Sequence, residues 1–325
     1  MADFTQNYGL HQWEPTDPFL REDFNQDLST IDAALGQLDR SAEASAYNVY
    51  NLMLQNDYDG KYTGYKKALA FDGFLDDTGI ASKSGFLQSD GTLWMEREGQ
   101  GDINLGIGGN MAESESTSTL VMTGCGTITG FSCWIYSYYE VSQQVTGTYE
   151  VTVNGKSAAS GDFAVAPPPP ETNTERTIPF SPVDIRTGDR CVVTLNVNSG
   201  SVMLRRTPDS NGLGGTLRVR AGGASVGTMT AKPAALPESR GAAAWVRHRG
   251  GTVSLSLKNG GKSVALTPEE SRETVELYTG ATCTEQAFRL DQPLAAGDWQ
   301  VVLSGSLSGD ESEMEVYDYG VVWKG

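Results

Sequence analysis

The apolar positions between residues 24 and 52 fall on one stripe: Phe24, Leu28, Ile31, Leu35, Leu38, Ala42, Ser45, Val49 and Leu52. The steps alternate between four and three residues. Their mean of about 3.5 is the period of helices wound around one another, not the roughly 3.6 of a lone surface helix. The spacing predicts one helix over residues 17–60 with this stripe as an oligomerisation seam, and with no core of its own to pack on. Asp17-Pro18 offers an N-cap acceptor followed by a proline where a missing N–H costs nothing. Glu22 and Asp23 suit the positive end of the helix dipole. Asn56-Asp57-Tyr58-Asp59-Gly60 is a stop signal. A helical hairpin turning near Gly36 or Ser41 is the rival arrangement, but no proline or glycine pair marks such a turn.

Past residue 60 the pattern changes. Residues 61–84 read as a connector carrying Tyr62, Tyr65, Phe71 and Phe74. From residue 85 onward, short alternating runs separated by turn residues predict strands. Candidates in the first block include residues 91–96, 118–122, 130–138, 147–153, 190–196 and 215–220. Those in the second include 243–247, 252–258, 285–290, 298–303 and 313–322. Asn154-Gly155 is a type I′ hairpin signal, and the prolines Pro167 to Pro170 exclude a strand there. Residues 223–239 read as a linker. The expected fold is therefore mainly β with an N-terminal α-helical coiled coil. Its segments are a leader (1–16), the helix (17–60), the connector (61–84) and two tandem antiparallel β-sandwich (jelly-roll-like) domains (85–222 and 240–325) joined by that linker. In both blocks a Gly-Asp pair (Gly188-Asp189, Gly297-Asp298) enters an alternating strand that leaves through Ser-Gly-Ser, which points to a repeated sandwich, although Gly-Asp turns are common and two independent sandwiches fit the pattern as well.

Composition narrows the function. The net charge of −17 is spread over the helix and both blocks, so no basic face serves a phosphate backbone and no nucleic-acid partner is expected. No apolar run is long enough to span a membrane, and residues 1–4 lack the pattern that opens a secretory signal. The four cysteines are too few for a disulfide framework. Cys125 and Cys133 lie in adjacent strand-like segments, so a pair and two buried thiols both remain open.

The leader carries Asn7-Tyr8-Gly9-Leu10-His11-Gln12-Trp13-Glu14, then Asp17-Pro18-Phe19-Leu20-Arg21, Asp23-Phe24-Asn25 and Ile31-Asp32-Ala33-Ala34-Leu35. This stretch of about 35 residues resembles the N-terminal segment of tail-fibre and receptor-binding proteins from phages and prophages of Gram-positive gut bacteria. The resemblance implies a virion protein made in the bacterial host cytoplasm and acting at the host cell surface. It implies that the leader, through Tyr8, Leu10 and Trp13, docks on a tail or baseplate protein. It further implies that the helix forms a homotrimer and that the β domains lie distally and meet a host-surface glycan.

Catalytic chemistry is sparsely represented. The chain has two histidines, His11 and His248, and neither has a cysteine or histidine neighbour at metal-ligand spacing. No nucleophile elbow or phosphate loop occurs. The carboxylates Asp72, Asp76 and Asp77 are close in sequence, as are Glu311, Glu313 and Glu315, and such groups are candidates for glycan cleavage. Residues 55–60 match a calcium loop only in part, with Gln55 where the first carboxylate belongs. The expectation is a non-enzyme without metal or cofactor. Trp134, Tyr136 and Tyr138 alternate and so share one strand face, either the inner face of a sandwich or a platform for stacking on sugar rings. Arg247, His248 and Arg249 read as a turn available to a receptor. The leading expectation is a non-catalytic homotrimeric attachment protein. The alternatives are a structural baseplate or tail-tip connector that binds virion proteins, and a glycan-cleaving, tailspike-like enzyme.

Overall fold

The computed structural model describes residues 3–58, 65–66, 68–89, 91–112, 114–198, 202–209 and 212–324. Among these the chain is mainly β, with antiparallel sheets and one long helix, Arg21–Tyr58, unbroken at Gly36 and Ser41. Its 38 residues span about 57 Å at 1.5 Å each. The helix starts later than the Asp17-Pro18 signal suggested. Asp17 instead closes a turn with Glu14, each accepting the other's backbone N–H, and the Leu20 carbonyl accepts the first helical bond from Phe24. Residues 59–64, which include Asp59 and Gly60 of the expected stop and calcium-like loop, lie outside the described residues.

The expectation that the helix has nothing of its own to pack on is overturned. Tyr47, Tyr50, Met53 and Leu54 form a second apolar stripe, rotated well away from the first. It lies on a sheet against Leu69, Phe71, Trp245 and Val322. Tyr50 and Leu54 are fully buried there, and each such side chain contributes about 1.5–3 kcal/mol. The seam residues face away. Their large side chains are exposed, from 40% for Ile31 to 62% for Leu52.

Four larger sheets make two packed pairs. The first pair consists of a platform sheet and a back sheet. The platform sheet is centred on Gly126–Tyr136, with Thr174–Ile185 on one side and Gly215–Ala221 and Met203–Arg205 on the other. The back sheet runs Glu115–Val121, Arg190–Val197, Val145–Val153, Lys156–Val165. One core, including Ile128, Phe131, Ile135, Val151 and Leu195, joins them. Asn154 and Gly155 both have positive φ at the hairpin, as a type I′ turn requires.

The second pair carries the helix. Its helix-bearing sheet is built on Gly241–Arg249, Thr282–Leu290 and Glu313–Lys324. Its distal sheet is built on Thr252–Asn259, Gly297–Ser306 and Val226–Ala231. Here the pairing departs from the tandem order read in the sequence. Leu69–Asp72 and Thr92–Glu96 both pair with Glu313–Lys324, and Ile80–Ser84 pairs with Val226–Ala231. Residues assigned to the connector and linker are thus strands of the second pair, and residues 103–221 form the first pair as an insertion between Thr92–Glu96 and Val226–Ala231. Phe74, Phe86, Leu93 and Met95 explain why: they are buried in the same core as Met229, Trp299 and Leu303. The Gly-Asp strands Arg190–Val197 and Gly297–Ser306 both lie inside their sheets. Ser199-Gly200-Ser201 lies outside the described residues.

Polar contacts fix one pair to the other. Glu96 accepts hydrogen bonds from the Thr187 backbone and hydroxyl, the latter at 2.6 Å. Asp184 accepts from Thr127 Oγ1 at 2.7 Å and from the Gln88 backbone at 3.1 Å. Arg186 reaches Glu315 and lies over the Trp94 ring, 4.5 Å from its centre. Burial opposes the Glu315 charge, yet the Tyr317 hydroxyl, together with Arg186 and Arg249, lowers its pKa.

Candidate functional site

The strand Gly126–Tyr136 decides the status of the aromatic triad. Cys133 and Ile135 are fully buried in the core. Trp134 and Tyr136, alternating with them, stand on the opposite, solvent-facing side of the sheet. Tyr138 follows at the strand's end, 54% exposed, with its ring edge-on to Tyr136 at 4.9 Å. Arg205 lies over Tyr136 at 5.5 Å. Asn173 Oδ1, at 2.6 Å, and the Gly109 carbonyl, at 2.9 Å, accept its N–H groups. Deeper along the face, Arg218 donates to Ser132 Oγ at 2.8 Å and Asp102 Oδ2 at 2.9 Å, with Glu175 at 3.5 Å. The face therefore combines flat aromatic surface with planar polar groups already held in place. Such groups lose little rotamer freedom when a ligand arrives. Nothing in the sequence flagged Arg205, Arg218 or Asn173, because they reach Tyr136 and Ser132 only through long-range strand pairing.

Arg247, His248 and Arg249 require a correction. They lie in the strand Gly241–Arg249, not in a turn. Arg247 is 1% exposed beneath the helix. It pairs with Glu285 at 3.1 Å and Asp318 at 3.3 Å and donates to Asn51 Oδ1 at 2.5 Å. The Tyr47 hydroxyl donates to Glu285 at 2.7 Å and the Tyr50 hydroxyl to Asp318. Burial works against the Arg247 charge, but Asp318, the two tyrosines and Glu285 outweigh it and raise its pKa. Arg247 thus ties the helix to the sheet and is closed to a receptor. The sequence did hold a signal for this contact: Tyr47, Tyr50 and Leu54 sit at helical spacing off the seam. Arg249 is exposed and pairs with Glu313 and Glu315.

His248 is buried, and its Nδ1–H donates to the Gly250 carbonyl at 3.1 Å. Burial lowers its pKa below 6.5, against the opposing influence of that hydrogen bond and of Glu311. Between the lowered value and 6.5, the unfolded chain binds a proton that the folded chain does not. His248 therefore costs the fold nothing above pH 6.5 and destabilises it as pH falls through that interval. Urea unfolding at pH 7.5 and pH 5 is expected to show a smaller loss on acidification for His248→Gln than for the parent chain.

The leader folds back on its own helix. Asp3–Phe4 pairs with His11–Gln12, and Asp27 accepts from the His11 backbone and ring, the latter at 2.9 Å. Trp13 is half-buried between His11 and Phe19, Leu10 is half-buried, and Tyr8 is exposed. The four cysteines are buried and free, which decides the question of a Cys125–Cys133 pair in favour of thiols. Burial pushes Cys125 and Cys283 up to about 11, and Cys133 and Cys191 up to about 12.

The carboxylate clusters disperse. Asp72 is buried and caps the Phe74 backbone, and Asp76 closes a turn with Thr78. Glu311 accepts from Ser308 and Gly251, while Glu315 joins the two sheet pairs. Among the described residues no group of three or more His, Cys, Asp or Glu side chains forms a metal site, and the helix is not apolar enough to cross a membrane.

No protein-family model matches the chain, and no curated protein matches it. Among solved structures it is similar to a cycloisomaltooligosaccharide glucanotransferase of Paenibacillus sp. solved with cycloisomaltoheptaose. The match has 7% identity and a TM-score of 0.19, over 74% of this chain and 44% of that one. The chain thus spans less than half the length of that structure, and at this score the likeness does not establish a shared fold.

Proposed function

We propose that the chain is a homotrimeric attachment protein of the phage tail-fibre type, carried on the virion, whose first β-sandwich binds a host-surface glycan without cleaving it. The observation that carries this reading is the outward-facing ladder of Trp134, Tyr136 and Tyr138. Aromatic faces supply large contact area with a polar handle, suited to the apolar faces and hydroxyls of sugar rings. The exposed heptad stripe supports a trimeric coiled coil, in which three weak glycan sites act together. In this assembly only the first part of the helix stands clear of the sheets. Residues 21–42 make about 33 Å of it, and the rest is sandwiched between the bundle axis and its own jelly-roll-like sheets. The leader, already folded against the stalk, presents Tyr8 to the tail.

The test is adsorption. Labelled full-length chain is mixed with a panel of candidate host cells, and bound protein and released reducing sugar are measured. Binding without sugar release is expected, and Trp134→Ala is expected to weaken each site about tenfold, the equivalent of about 1.4 kcal/mol, and adsorption of the trimer by more. Sugar release would replace this reading with a glycan-cleaving enzyme. Failure to bind any host, with tight binding to a tail protein, would replace it with a baseplate connector.

A further inference from the structure

We infer that the binding face does not end at the aromatic ladder. It continues along Gly126–Tyr136 into the cleft where the two sheet pairs meet, so that one extended, uncharged saccharide chain is held at both ends. This rests on the glycan-binding reading above and assigns that site a second contact and a ligand class.

The geometry begins with a bulge. The register of Gly126–Tyr136 slips between Ile128 and Gly130 against both of its neighbours. Thr127 and Ser132 are five residues apart and would face opposite ways in a regular strand. The extra residue puts them on the same side, while Ile128 and Phe131 both point into the core. The outer-facing row therefore runs from Tyr136 through Trp134 and Ser132 to Thr127, roughly 30 Å at about 3.3 Å per residue. Its middle is covered: Ser132 is fully buried beneath Arg218, which Asp102 and Glu175 hold in place, so a chain laid along the row crosses that side chain. At its head, Thr127 lies between Arg220 and Asp184.

That head row is one wall of a cleft of about 1000 Å³, whose other wall is the second pair's segment from Lys83 to Ser89. This volume is at the upper end for small-ligand sites. Arg220 projects into it, exposed, with no acceptor for its guanidinium among the described residues. Lys83 pairs with Asp184 at 3.5 Å, Asp76 and Asp77 supply two further carboxylates, and Leu87 and Pro182 give apolar surface. A phosphate- or carboxylate-bearing chain would meet Asp76 and Asp77. Donors and acceptors in near balance over apolar walls instead match a ring that offers hydroxyls on its edge and C–H groups on its face.

The experiment uses the full chain and polysaccharide released by mild acid from adsorbing cells, sorted by length and charge, with binding read by calorimetry. Long neutral fragments are expected to bind at least tenfold more tightly than di- and trisaccharides. Arg220→Ala is expected to remove that gain and leave short-fragment binding unchanged, while Trp134→Ala weakens both. Arg220 is exposed, so its loss leaves the core intact. If Trp134→Ala weakens every length and Arg220→Ala none, the cleft is not part of the site, although the glycan-binding reading stands. Tighter binding of charged than of neutral fragments overturns the ligand class. If no fragment binds, the glycan-binding reading and this extension both fall; if fragments bind and neither variant changes binding, the site lies elsewhere and both the ladder and the cleft are excluded.

Discussion

Replacing Arg247 with alanine is expected to cost about 3–5 kcal/mol of folding stability, read as a large drop in the urea midpoint of the second sheet pair. The figure follows from what the substitution strands. Asp318 is fully buried and Glu285 nearly so, and both face the guanidinium. Removing one partner of a buried ion pair leaves an uncompensated charge in a medium that solvates it poorly. Arg247→Lys should recover little. An ammonium cannot span Asn51, Glu285 and Asp318 as the planar fork does. The double variant Arg247→Met/Asp318→Leu removes charge from both sides and should be less damaging than Arg247→Ala. If Arg247→Ala unfolds at the parent midpoint, the network contributes nothing net to stability.

The opposite side of the same helix should respond in the opposite way. Leu35→Asp/Leu38→Asp is expected to convert a trimer into a monomer, measured by sedimentation, with each chain's folding midpoint almost unchanged. Both leucines are more than half exposed in the single chain, so they contribute little to its own core. In a trimer each becomes a knob in a hole of the facing helices, and a carboxylate there faces its own copies across a dry seam. A parent chain that sediments as a monomer would refute the coiled-coil assembly.

These two results also separate what the sequence disclosed from what it withheld. The heptad stripe was legible because it is local: its period is set within one helix. The type I′ turn at Asn154-Gly155 and the alternation of the strand cores were legible for the same reason. The insertion was not. Nothing within residues 69–72 or 92–96 names Glu313–Lys324 as their partner, since strand alternation says which side is apolar and not which strand lies alongside. Arg247-His248-Arg249 looked like a polar turn because charge usually marks the surface. It proved to be strand because the neutralising groups came from Thr282–Leu290, Glu313–Lys324 and the helix. Trp134 and Tyr136 share a face of Gly126–Tyr136, but that strand ends at Tyr136 rather than at 138, and Tyr138 follows it. Which way that face points depended on Cys133 and Ile135 finding the back sheet.

The inserted pair leaves the second pair and returns to it at a single place. The Ala224 backbone donates to the Glu96 carbonyl at 2.8 Å, and a side chain at Gly99 would strike the Gly223 backbone. The chain's departure and return thus share one doorway, closed by glycines. An object attached through one doorway works as an interchangeable cartridge. Apart from the segment 184–187, which binds Gln88, Glu96 and Glu315, its loops and length are free to vary without shifting the register of the strands that carry it.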